Sequence, residues 1–80
     1  MNCVEITTEF ITLGQFLKYI GLISNGSEAK NFIINNKIFV NNVLEMQRGK
    51  KLYPGFSIKI GKNEFIIVQK NDWRTKNKKF

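Results

Sequence analysis

Near residue 37 the spacing of apolar side chains changes, and that change limits what this chain can fold into. In "TLGQFLKYIG", Leu13, Phe16, Leu17 and Ile20 fall at i, i+3, i+4 and i+7, which is one face of a helix. From Lys37 onward the period becomes that of strands: Phe56, Ile58 and Ile60 alternate with Ser57 and Lys59, one buried face against one wet one. The two periods occupy separate parts of the chain. They predict an α+β fold with two short N-terminal helices packed on a small, mostly antiparallel sheet. With 80 residues and an apolar fraction of 42%, one modest core is expected over residues 1–70, followed by a basic tail at 71–80.

Punctuation residues divide this plan into elements. Residues 3–7, "CVEIT", alternate weakly and predict an edge strand. Thr12 is a natural N-cap, and Gly21 stands where a left-handed C-cap residue is wanted. Gly14 weakens the first helical turn but admits a neighbouring backbone. In "SNGSEAKNFIINN", Asn25 with Glu28 three residues on predicts a capping box, Ala29, Phe32 and Ile33 a buried stripe, and Asn35-Asn36 a left-handed ending. Asn41-Asn42 predicts a tight hairpin, and Tyr53-Pro54-Gly55-Phe56 a type II turn. Gly61-Lys62-Asn63 returns the chain into "EFIIVQ", a last strand that could be covered on both faces. The tail "KNDWRTKNKKF" has neither period and would hold its place only if Trp73 docks.

Composition removes several chemistries. There is no histidine, Cys3 is the only cysteine and Asp72 the only aspartate. A metal site and an internal disulfide are therefore not expected, nor is any cofactor. No nucleophile–base pair or carboxylate pair can be assembled, so an enzyme is not expected. No apolar run reaches the roughly 18 residues that cross a bilayer. The N-terminus carries Glu5 and Glu9 and no basic region, so the expected location is cytoplasmic, with no membrane partner.

Charge is unevenly placed. Residues 1–29 hold Lys18 against Glu5, Glu9 and Glu28, a net of −2, residues 30–69 a net of +5 and residues 70–80 a net of +4, making up the +7 of the chain. A positive region of this kind draws polyanions from a distance. In "QRGKKLYPG", Arg48, Lys50 and Lys51 fall within four positions, and like charges this close repel unless an anion joins them. A helix start at Ser24, Asn25, Gly26 and Ser27 would offer small polar side chains and unpaired amides to a phosphate. Lys30 lies one turn along, and Lys37 precedes the first strand of the second half. These nine residues are the candidate nucleic-acid-binding site. The plainer reading of Asn25 and Glu28 is a helix cap alone. For Tyr19 and Tyr53, packing is the plainer reading and base stacking the alternative.

The order of elements resembles the RNA-binding domain of ribosomal protein S4. "SNGSEAKNFIINNKIFVNN" is similar to that family's core signature through Ala29-Lys30, Ile34, Val40 and Asn41, and "RGKKLYPG" to the segment after its hairpin. The likeness covers about residues 10–68 and extends to small stand-alone bacterial members of the YaaA type, which also read "ITLGQFLK". It implies an αL-type RNA-binding fold whose cations meet on one surface. Shape rather than sequence would be recognised, because the major groove of A-form RNA is too deep and narrow to read. Three positions depart from the pattern: Gly26 where an arginine is frequent, Asn36 for the usual glycine after the helix, and Asn41-Asn42 for Asn-Gly. The implied function is non-catalytic binding of structured RNA by a monomer. The expected RNA is ribosomal, tRNA being possible, with a role in ribosome assembly or large-subunit handling. The alternatives are an adaptor for an acidic protein and a quality-control factor acting on tRNA or stalled ribosomes.

Overall fold

The structure, a computed structural model, describes residues 2–70. The expectations for Trp73 and the tail 71–80 lie outside the described residues. Strands β1 (Asn2–Ile6) and β2 (Ile11–Thr12) precede α1 (Leu13–Tyr19). A 3-10 turn (Gly26–Glu28) leads into α2 (Ala29–Asn35), and β3 (Ile38–Val40), β4 (Val43–Leu44), β5 (Lys51–Leu52), β6 (Ser57–Ile60) and β7 (Asn63–Gln69) follow. The helices are thus mid-chain, which corrects the N-terminal placement expected from sequence. The reason is that Val4 and Ile6 are buried, so β1 belongs to the core from the start of the chain.

The main sheet has the order β1-β7-β6-β3-β4. Only β1 and β7 run parallel; β6–β7, β3–β6 and β3–β4 are antiparallel. The expected edge strand is therefore present, and so is the mostly antiparallel sheet. Strand β7 lies between β1 and β6 and has Ile67 fully buried, while Ile66 and Val68 on the opposite face are half-buried. Phe16 of α1 is fully buried and meets Phe65 edge to face at 5.5 Å. Such a ring pair adds about 0.5–1.5 kcal/mol beyond the burial of its area.

Local chemistry explains most element ends. Thr12 caps α1 by accepting from the Gln15 amide at 3.3 Å, and the Gln15 side chain accepts the Thr12 amide at 3.1 Å, closing a capping box. At the other end the Gly21 amide reaches the Lys18 carbonyl at 3.1 Å and the Leu22 amide reaches that of Leu17 at 3.0 Å. With Gly21 at φ +85°, this is a Schellman ending. Asn41 and Asn42 both take positive φ, as a type I′ hairpin needs. Gly55 at φ +97°, with the Phe56 amide 3.0 Å from the Tyr53 carbonyl, completes the expected type II turn.

Asn25 is the expected N-cap, though of the 3-10 turn, while the rest of the capping box and the far end of α2 depart from expectation. Glu28 does not return to the Asn25 amide; its carboxylate accepts from the Ser24 amide at 2.7 Å. The intervening 3-10 turn is tighter than an α-turn, which shifts the reach of the Glu28 side chain by one residue. At the far end Asn36 is extended (φ −131°, ψ 131°) and not left-handed. Its amide and its side-chain Nδ2 both donate to the Phe32 carbonyl, at 2.9 and 3.0 Å. The side chain thus adds a second donor to a carbonyl that the Asn36 amide already reaches, and it ties the extended Asn36 back onto the last turn of the helix.

Candidate nucleic-acid interface

The basic loop is built from its main chain inward. Two residues pair β2 with β5, Ile11 opposite Leu52 and Thr12 opposite Lys51. The Leu13 amide then donates to the Lys50 carbonyl at 2.8 Å and the Gly14 amide to that of Arg48 at 2.9 Å. These two amides and that of Gln15 are orphan donors of the first turn of α1. Loop carbonyls and the Thr12 hydroxyl occupy all three. Leu52, fully buried, anchors the loop to the core. With backbone oxygens turned to the helix, Arg48, Lys50 and Lys51 remain exposed.

Gly14 marks where three elements meet. A Cβ there would lie 3.5 Å from the Arg48 carbonyl oxygen and 3.6 Å from the Cβ atoms of both Arg48 and Ala29. The close approach read from sequence is therefore real, and it joins α1, the loop and the first turn of α2. Lys30 follows Ala29 on that turn and is exposed. From the loop, the Arg48 guanidinium reaches within 3.4 Å of the Gly26 carbonyl. Arg48 thus touches the segment Ser24–Ser27, 22 residues away in sequence.

That segment is less open than its composition suggested. The Asn25 side chain accepts from the Ser27 amide at 3.1 Å and from the Ser27 hydroxyl, and the Glu28 amide bonds the Asn25 carbonyl at 3.2 Å. The Glu28 carboxylate on the Ser24 amide adds a negative charge at the same place. Free backbone amides are consequently few, and positive charge near Gly26 comes from the Arg48 side chain.

Two further placements were not read from sequence. Lys51 holds its ammonium 4.9 Å from the centre of the Phe10 ring, a cation–π contact. Phe10 in turn lies 5.6 Å from Tyr53, and Tyr53 lies 5.7 Å from Phe56. Lys37 is separated from the loop cluster: it lines a shallow hollow together with Lys59 and Lys62. The signal for Lys59 was its outward place in the "FSIKI" alternation. Grouping it with Lys37 required the β3–β6 register, Ile38 opposite Ile60, which no local pattern displays. Among the described residues, no three His, Cys, Asp or Glu side chains come together as a metal site. No described helix is long and apolar enough to cross a membrane.

A helix pair, a mostly antiparallel sheet and a basic loop docked on the first helix define a small S4-type domain. The S4 domain model matches residues 4–68, and the chain belongs to this family. It is also similar to a Bacillus subtilis (strain 168) protein described as a probable ribosome maturation protein, RlbA. The two are 43% identical over 68 residues, covering 84% of this chain and 96% of that protein.

Proposed function

We propose that this protein binds structured RNA without catalysing a reaction, and that ribosomal RNA of a maturing large subunit is its partner in the cytoplasm. One observation carries the reading: the backbone of residues 48–50 is hydrogen-bonded into the start of α1, which holds the side chains of Arg48, Lys50 and Lys51 outward. Charges held in place lose less entropy on binding than charges on a free loop. Arg48 reaches Ser24–Ser27 at the Gly26 carbonyl, and exposed Lys30 follows Ala29, whose Cβ meets Gly14 beside Arg48. Arginine suits a phosphate through its planar fork of donors, and lysine does so as a point charge. The relative described as a ribosome maturation protein supports the ribosomal context.

Filter binding of purified large-subunit ribosomal RNA against salt tests the proposal. Each phosphate contact adds about 0.7–0.9 to the slope of log affinity on log salt. Replacing Arg48, Lys50 and Lys51 together by alanine is expected to flatten that slope and to weaken binding more than deleting residues 71–80. A greater loss from the deletion would transfer the site to the tail. Transfer RNA as competitor separates the ribosomal reading from a tRNA one.

A second reading, an adaptor for an acidic protein, is favoured by Val43, Leu44 and Met46. All three are exposed, immediately before the basic loop. It predicts a purified complex with no absorbance from nucleic acid and a salt-sensitive protein partner.

A further inference from the structure

We infer that the hollow at the β3–β6 end of the sheet is a second contact for the RNA sugar-phosphate backbone, formed by Lys37, Lys59 and Lys62. This inference rests on the RNA-binding reading above and extends its footprint. The hollow has a volume of about 680 Å³, and Asn42 and Asn63 also line it. Lys59 and Lys62 come from β6 and the β6–β7 turn, and Lys37 from the residue before β3. Pairing of Ile38 with Ile60 makes neighbours of segments that are 22 positions apart in the chain.

The chemistry selects the ligand class. Glu64, opposite Lys59 across β6 and β7, is the nearby acid set by the sheet register, and it offsets one of the three charges. The remaining excess is positive, and carboxamides beside it can donate to phosphate oxygens. A base-reading site would instead present stacked aromatics, and Phe39 in the wall is half-buried between its strand neighbours. The hollow is also set apart from the Arg48 cluster. Between Lys30 and Lys37 lie residues 31–35 of α2, a helical rise of about 7.5 Å from Lys30 at about 1.5 Å per residue, and then the extended Asn36. An RNA held at both places is contacted at two points on its backbone, which fixes orientation as well as affinity.

The test uses the full chain and purified large-subunit ribosomal RNA, with log affinity measured against log salt for four variants and, as a fifth, a single substitution. Lys37→Gln with Lys59→Gln and Lys62→Gln is expected to lower the slope by about 2–3, from three contacts of about 0.7–0.9 each. The same three positions changed to arginine should keep the slope of the parent. Lys18→Gln, on α1 in a different hollow, is expected to leave the slope unchanged and measures the effect of net charge alone. The loop variant with Arg48, Lys50 and Lys51 replaced supplies the fourth arm. If the loop variant flattens the slope while the Lys37–Lys59–Lys62 variant behaves like Lys18→Gln, the second contact is refuted and the RNA-binding reading stands. If neither variant changes the slope, both are refuted. Single Lys62→Gln, on an exposed turn, should show about a third of the triple effect, so the inference can be read even if the triple variant fails to fold.

Discussion

The loop cluster and the β3–β6 hollow carry the same number of cations, three each, but they are made differently. Arg48, Lys50 and Lys51 are neighbours in sequence, and their backbone is bound to another element, the start of α1. Lys37 is distant in sequence from Lys59 and Lys62 and is brought beside them by strand register. The first cluster depends on one docking event. The second depends on the sheet. A perturbation of α1 should therefore disturb the loop cations and spare the hollow, and this asymmetry can be attacked experimentally.

The largest effect is expected from Leu52→Ala. Leu52 is fully buried at the root of the loop, and losing such a side chain costs about 2–5 kcal/mol. Urea denaturation gives the stability. Hydrogen exchange should show faster exchange of the Leu13 and Gly14 amides, with the Ser57 and Asn41 amides of the hairpin junction less affected. Equal loss at both places would mean that the two regions are not separable.

Gly14 gives a sharper comparison. Val at this position would push a methyl group toward the Arg48 carbonyl, and overpacking of this kind costs about 1–3 kcal/mol. Ala would make ordinary contacts at 3.5–3.6 Å and gain helix propensity, up to about 1 kcal/mol. Thermal unfolding should thus move in opposite directions for Gly14→Val and Gly14→Ala. RNA affinity should fall only for valine. A destabilised alanine variant would show that the loop tolerates no extra atom.

Thr12→Ala removes the cap of α1 and is expected to cost about 0.5–2 kcal/mol, with stability measured by the same unfolding assay. The smallest effect concerns Glu28. Glu28→Gln keeps an acceptor for the Ser24 amide and removes the negative charge beside Gly26. Exposed charge interactions are worth about 0.2–1 kcal/mol. RNA binding should tighten by up to about fivefold at low salt, an advantage that fades as screening increases. Weaker binding on this substitution would argue against a phosphate near the helix start.

Elements with a period and a terminator were legible from sequence: α1 between Thr12 and Gly21, the Asn41-Asn42 hairpin, the Pro54-Gly55 turn and the alternation through Ile58 and Ile60. For α2, the Asn25 cap was legible, but the 3-10 turn it caps, the reach of Glu28 to Ser24 and the extended Asn36 were not, because composition alone does not distinguish these endings from their α-helical and left-handed counterparts. Strands β2 and β5 escaped notice because two residues are too few to show a period. For the candidate site, the cations of the loop were legible as a cluster, whereas the partial closure of Ser24–Ser27 by Asn25 and Glu28 was not.

What the sequence determined by itself is the short-range part of this protein: which segments can be helix or strand, where the chain must turn, and that positive charge gathers after residue 30. These follow from interactions within a few residues, where side-chain spacing and permitted φ values suffice. Tertiary structure alone decided that β1 lies parallel to β7, that loop carbonyls cap α1, that Arg48 reaches Gly26, and that Lys37 joins Lys59 and Lys62. Each of these joins positions far apart in the chain, and such pairings are chosen by burial of a shared core and satisfaction of backbone donors rather than by any local pattern.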